Sequence, residues 1–117
     1  MLKKGEVKYG DILWTQFDPS VGHEFQDKRP AIVIQTDEQL SKSNLVTLIP
    51  LTGNLKNKLV DDIVIEPDNR NNLRGASIVK VYDIVSHDYE RITGKIGVVA
   101  EKIMTEIKQY LQKHFGI

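Results

Sequence analysis

Residues 10–52 read GDILWTQFDPSVGHEFQDKRPAIVIQTDEQLSKSNLVTLIPLT, and the three apolar runs in this stretch decide the fold class. Residues 11–17 (DILWTQF) alternate as a strand does, with Ile12 and Trp14 on one face and Leu13, Thr15 and Phe17 on the other. DPSVG at 18–22 ends that strand, with proline and glycine as punctuation. Residues 30–36 (PAIVIQT) form a continuous β-branched run, the pattern of a strand covered on both faces. Residues 45–51 (LVTLIPL) read the same way, except that Pro50 cannot donate to a ladder and so belongs near the strand end or on an edge.

Working outward, residues 62–66 (DIVIE) give a short strand before the turn-rich PDNRNN. Residues 77–86 (SIVKVYDIVS) give a longer strand, and RITGKIG adds a last short one. The period then changes. Val99, Ile103, Ile107, Tyr110 or Leu111, and His114 or Phe115 recur every three to four residues, which predicts a helix with one apolar face. Glu101 falls in its first turn, Lys113 and His114 in its last, and Gly116 stops it, all in keeping with the helix dipole and a glycine cap. A helix this short needs the sheet to stabilise it. The fold class is therefore mainly β: a compact antiparallel barrel with a C-terminal helix packed against it.

The chain has 117 residues, which suits a single domain over 1–117, and its 40% hydrophobic and 27% charged content is that of a globular protein. With no cysteine there is neither a disulfide framework nor a thiolate metal site, as suits a reducing cytosol. No apolar run reaches the roughly 20 residues of a membrane span, and MLKKGEVKYGD is not expected to be a signal peptide. The formal net charge is zero. A nucleic-acid binder of this composition must gather its cations locally. Lys56, Lys58, Arg70, Arg74 and Lys80 are either such a patch or ordinary solvated charges.

If the strands at 11–17, 30–36 and 45–51 are antiparallel neighbours, then the loop 18–28, Arg29 and Thr52 meet at one edge of the sheet. His23, Glu24, Asp27 and Lys28 belong to that loop, so a guanidinium, a hydroxyl, an imidazole and carboxylates converge on one rim, where function usually sits. The histidines His23, His87 and His114 have no zinc spacing, and no HExxH, EF-hand, Walker or GxSxG pattern occurs, so metal-free chemistry without a cofactor is the default. Trp14 and Phe17 read as core residues, with base stacking as the alternative.

GDILWTQFDPSVGHEFQDKRPAIVI at 10–34 resembles the N-terminal signature of the MazF/PemK toxins through Gly10, Asp11, Asp18, Pro19, Gly22, Glu24, Arg29 and Pro30. Thr52 after VTLIPL, Ser77 after NNLRGA, Asp88, Arg91 and Gly97 resemble the family's later landmarks. The resemblance implies an SH3-like barrel, a homodimer, and a cytoplasmic toxin that cleaves single-stranded mRNA without metal. It implies attack by the ribose 2′-hydroxyl, leaving 2′,3′-cyclic phosphate and 5′-hydroxyl ends. It further implies an antitoxin with an acidic flexible tail, and promoter DNA as a partner only of the toxin–antitoxin complex. Arg29 would stabilise transition-state charge and Thr52 would bond the scissile phosphate or the 2′-hydroxyl. His23, which resembles the histidine of a subset of these toxins, would serve as general base or acid. Glu24, Asp27, Lys28, Asn54, Lys56, Ser77, Lys80 and Asp83 would contact RNA. The strand 77–86 departs from the histidine-bearing subset: Lys80 replaces an arginine, Tyr82 an aspartate and Val85 a basic residue. Asp83 stands one place beyond that aspartate, which on a regular strand is the opposite face. The other readings are a non-catalytic gyrase poison like the CcdB family, which is similar in fold, and a relative that binds antitoxin or RNA without cutting.

Overall fold

The computed structural model describes residues 2–17 and 27–117. Its strands are β1 (Asp11–Phe17), β2 (Asp27–Val33), β3 (Leu45–Thr52), β4 (Ile63–Ile65), β5 (Ser77–Val79), β6 (Val85–Asp88) and β7 (Ile92–Val98), and its helices are α1 (Asp37–Lys42) and α2 (Glu101–Phe115). The sheet order is β4-β5-β3-β2-β1-β7, with β6 paired to β3, and every pairing is antiparallel. The expected neighbours β1, β2 and β3 lie side by side. A 3-10 turn at Tyr89–Arg91 carries β6 into β7, which returns to β1, so these strands wrap around an inner core.

That inner core comprises Val7, Leu13, Ala31, Val33, Leu40, Val46, Leu48 and Ile92. The alternate residues of the same strands, Ile12, Ile32, Ile49 and Leu51, face a second core shared with Ile63, Ile65, Val79, Val81, Val99, Met104 and Ile107. Both faces of β2 and β3 are thus covered, which is why their sequences run nearly unbroken in apolar residues. The C-terminal helix buries Met104 and Ile107 and ends where Gly116 turns left-handed at φ 68°. There the Gly116 N–H donates to the Gln112 carbonyl, the αL stop read from the sequence.

Four elements differ from expectation. The strand read at 30–36 lies at Asp27–Val33, so Asp27, Lys28 and Arg29 belong to β2 and not to the loop before it. The helix α1 was not foreseen, although Thr36 caps it by accepting the Gln39 N–H at 3.3 Å, and a threonine followed three residues later by glutamine is a start signal. The run 77–86 is not one strand. It breaks after Val79, forms a 3-10 turn over Val81–Asp83, and resumes as β6 on another part of β3. The RITGKIG strand is a full seven residues and lies beside β1.

The turn PDNRNN docks on β7 through backbone contact. Asp68 accepts the N–H groups of Asn71 (2.7 Å) and Arg70 (2.8 Å), and these bonds hold its carboxyl below the usual carboxylate range. Asn71 is buried and donates to the Glu66 carbonyl, and the Val98 N–H donates to the Arg70 carbonyl. Gly97 makes this approach possible: a Cβ there would stand 2.4 Å from the Arg70 oxygen and 2.5 Å from the Asn71 oxygen. Gly97→Ala should therefore cost about 1–3 kcal/mol, as overpacking against fixed backbone does. Differential scanning calorimetry should register a clear drop in Tm for it, whereas Gly94→Ala, with open space at its Cβ, should leave Tm within a degree or two.

Candidate active site

The register places Arg29 and Thr52 at the same end of the barrel. Paired residues run Val33↔Leu48, Ile32↔Ile49 and Ala31↔Pro50, where the pairing ends, and the same count carried two steps further sets Arg29 level with Thr52. Alternation puts both on the inner-core side of the sheet, because Ala31 and Val33 share Arg29's face and Leu48 and Pro50 share that of Thr52. Each is partly buried. Thr52 Oγ1 accepts the Asn54 N–H at 3.2 Å. A hydroxyl has two lone pairs and one proton, so this turn bond leaves the Thr52 proton to donate to an incoming oxygen.

Two depressions flank this strand end. The first, about 400 Å3, is lined by Phe17, Arg29, Pro50, Asp83, Val85 and His87. The second, also about 400 Å3, lies around Trp14, Pro30, Gly53, Arg74 and Ser77. Thr52 falls between Pro50, which lines one, and Gly53, which lines the other. The 3-10 turn explains how Asp83 reaches the first groove. Because 81–83 is not extended, the face-reversal expected of Asp83 on a regular strand does not apply.

The remaining sequence candidates are dispersed. His23 and Glu24 lie outside the described residues, as does the side chain of Asp27, whose backbone pairs with Phe17. Lys28 is exposed beside the same strand end, opposite Gln16. Asn54 and Lys56 are exposed in the segment after Thr52, where the Asn54 side chain accepts the Lys56 N–H at 3.2 Å. Ser77 is buried, donates to the Gly75 carbonyl at 3.2 Å, and borders the Trp14 cavity. Lys80 lines neither depression. Its ammonium donates to the Tyr82 hydroxyl at 2.9 Å and lies 3.8 Å from buried Asp62, and the Tyr82 bond, with the Asp62 charge, raises its pKa. That ammonium is engaged by Tyr82 and Asp62. Asp88 caps the following turn by accepting the Glu90 N–H, and Arg91 donates to the Gln16 carbonyl.

Sequence reasoning passed over His87 except to note its lack of zinc spacing. Its ring meets Phe17 edge-on with centroids 5.3 Å apart, which brings it into the Arg29 groove. No local signal marks it, since it arrives only through closure of the barrel. Trp14 also corrects an expectation. It is 40% exposed, not a core residue, whereas Phe17 does pack partly on the inner core.

Comparison with known proteins agrees with this architecture. The chain belongs to the family described as PemK-like, MazF-like toxins of type II toxin–antitoxin systems, which matches residues 8–115. Among relatives, it is 29% identical over 107 residues to Endoribonuclease EndoA of Bacillus subtilis, covering 91% of each chain. It is 28% identical over 109 residues to Endoribonuclease MazF6 of Mycobacterium tuberculosis, covering 92% of this chain and 95% of the relative. The fold matches MazF of Deinococcus radiodurans at a TM-score of 0.77 and 20% identity, over 95% of this chain and 97% of the other. It also matches a MazE–MazF structure from the same organism at 0.76 and 20%, over 95% and 96%.

Trp14 is the single tryptophan, so fluorescence reads its environment alone. Native protein should be quenched readily by acrylamide. Protection until unfolding would return Trp14 to the core.

Proposed function

We propose that this toxin is an endoribonuclease that cuts single-stranded RNA without a metal, through attack of the ribose 2′-hydroxyl on the adjacent phosphorus. What carries the reading is the placement of Arg29 and Thr52 on one face and one end of the barrel, with Arg29 lining an accessible groove. A planar guanidinium matches two phosphate oxygens and keeps its charge at every working pH. It therefore stabilises the charge that builds on the phosphorane, while the Thr52 hydroxyl donates to the same phosphate or to the 2′-oxygen. Trp14, exposed beside Pro30 and Ser77, offers a flat face on which a neighbouring base can stack. The relatives' names, endoribonucleases throughout those quoted, point the same way.

The protein acts as a homodimer in the cytoplasm and is held inactive by a cognate antitoxin whose acidic tail occupies the RNA groove. Promoter DNA is bound only by the complex of the two. The support for an antitoxin is family membership and the fold shared with proteins solved as MazE–MazF structures. Among the described residues no helix is long and apolar enough to cross a membrane.

Purified protein should cleave a single-stranded RNA in EDTA and leave 5′-hydroxyl ends, detected by labelling with polynucleotide kinase without prior phosphatase. Arg29→Ala should lower kcat by about 100-fold or more, the usual consequence of losing a transition-state donor, with its circular dichroism unchanged. Cleavage that disappears with EDTA, or that survives Arg29→Ala, would contradict the assignment.

A further inference from the structure

We propose that His87 is a catalytic residue of the Arg29 groove, accepting the 2′-hydroxyl proton during RNA cleavage. The inference rests on the ribonuclease reading above and adds to it a group that the sequence alone did not suggest. The reaction needs a base, and among the described residues the groove's other lining supplies none of comparable strength. The Arg29 guanidinium cannot accept a proton. Phe17, Pro50 and Val85 have no titratable group, and the Thr52 hydroxyl at the strand end is a donor. Asp83 is a carboxylate at the exposed rim. Proton transfer is most efficient from the group that titrates nearest the working pH, which favours an imidazole over a carboxylate.

The placement of His87 is built into the fold. It pairs with Val46 across the β3–β6 ladder, so its side chain points to the inner-core side as Val46 does. Its ring is seated against Phe17 of β1, on the far wall, at 73° and 5.3 Å between centroids. Among the described residues, the charged groups that share its surroundings are Arg29 from β2, Asp83 from the turn before β6, and Asp88 next along its own strand. The segments of β1 and β3 in the groove contribute only Phe17 and Pro50.

In the step assigned here, the 2′-oxygen forms a bond to phosphorus while its proton passes to the imidazole nitrogen. The P–O5′ bond breaks, and its electron pair leaves with the 5′-oxygen, which takes a proton from water at the groove mouth. The imidazolium then returns its proton to solvent, leaving a 2′,3′-cyclic phosphate and a 5′-hydroxyl.

The test is steady-state cleavage of a short single-stranded oligoribonucleotide from pH 5 to 9, by wild type, His87→Gln, His87→Phe and His23→Gln. Loss of a general base is expected to lower kcat by about 100-fold or more, with KM changed only a few-fold, in both His87 variants. The acid limb of the wild-type kcat/KM profile should flatten in His87→Gln, and a limb that persists there and flattens only in His23→Gln would overturn the proposal. His87→Phe keeps a ring against Phe17, so activity retained by it would reduce His87 to packing and overturn the proposal. A substrate with sulfur in place of the bridging 5′-oxygen needs no acid at the leaving group. Rescue of His87→Gln by that substrate would make His87 the acid and overturn the assignment as base, and no rescue is expected. Wild type that cleaves no RNA overturns the ribonuclease reading itself, whereas active wild type with fully active His87 variants overturns this inference alone.

Discussion

Two prolines at one end of the barrel set the geometry on which the site depends. Along a strand, backbone polar groups alternate between the two neighbouring strands. In β3 the Thr47 carbonyl accepts from Ile34 on the β2 side, while the Pro50 carbonyl accepts from Lys80 on the other. Pro50 therefore lacks its N–H on the edge where β3 passes from β6 to β5, and the partner chain leaves the ladder there as the Val81–Asp83 turn. In β2, the Val33 carbonyl accepts from Gly10 on the β1 side, so Pro30 lacks its N–H toward β3, where the β2–β3 ladder ends at Ala31↔Pro50. The end of β3 thus lacks one ladder hydrogen bond on each flank, while Thr52 still pairs with Ile78 of β5. Each proline lines one of the two depressions, and Thr52 lies between them.

This arrangement divides stability from chemistry. The inner core and the core beneath α2 both lie toward the body of the sheet, and every strand residue in them is fully or nearly fully buried. The side chains beyond those cores on the same strands, Phe17, Arg29 and Thr52, are only partly buried. The β1–β2 and β3–β5 ladders fix their backbone, which is the condition for holding the Arg29 and Thr52 donors at a reacting phosphate without reorganisation.

Much of this was legible in the sequence because strand periodicity and neighbour order are local rules. The runs at 11–17, 30–36 and 45–51 were sufficient to bring Arg29 and Thr52 to one edge, and the helix could be read from its period and from Gly116. What escaped reading was set by tertiary contacts. SIVKVYDIVS has no proline or glycine to mark its break; the cause sits on a different strand, at Pro50. Trp14 obeys strand alternation, but whether its face is covered depends on where the 72–77 segment runs. His87 joins the groove only after β6, the turn at Tyr89–Arg91 and β7 have closed the barrel onto β1. His23 and Glu24 fall outside the described residues.

In the proposed reaction Arg29 and Thr52 act on one phosphodiester. A double-mutant cycle on kcat/KM, with Arg29→Ala, Thr52→Val and the pair, tests it directly. Groups that serve the same transition state are strongly non-additive. The double variant should therefore be scarcely slower than Arg29→Ala, with a coupling of about 1 kcal/mol or more. Losses that multiply independently would place the two side chains at separate tasks and contradict the account.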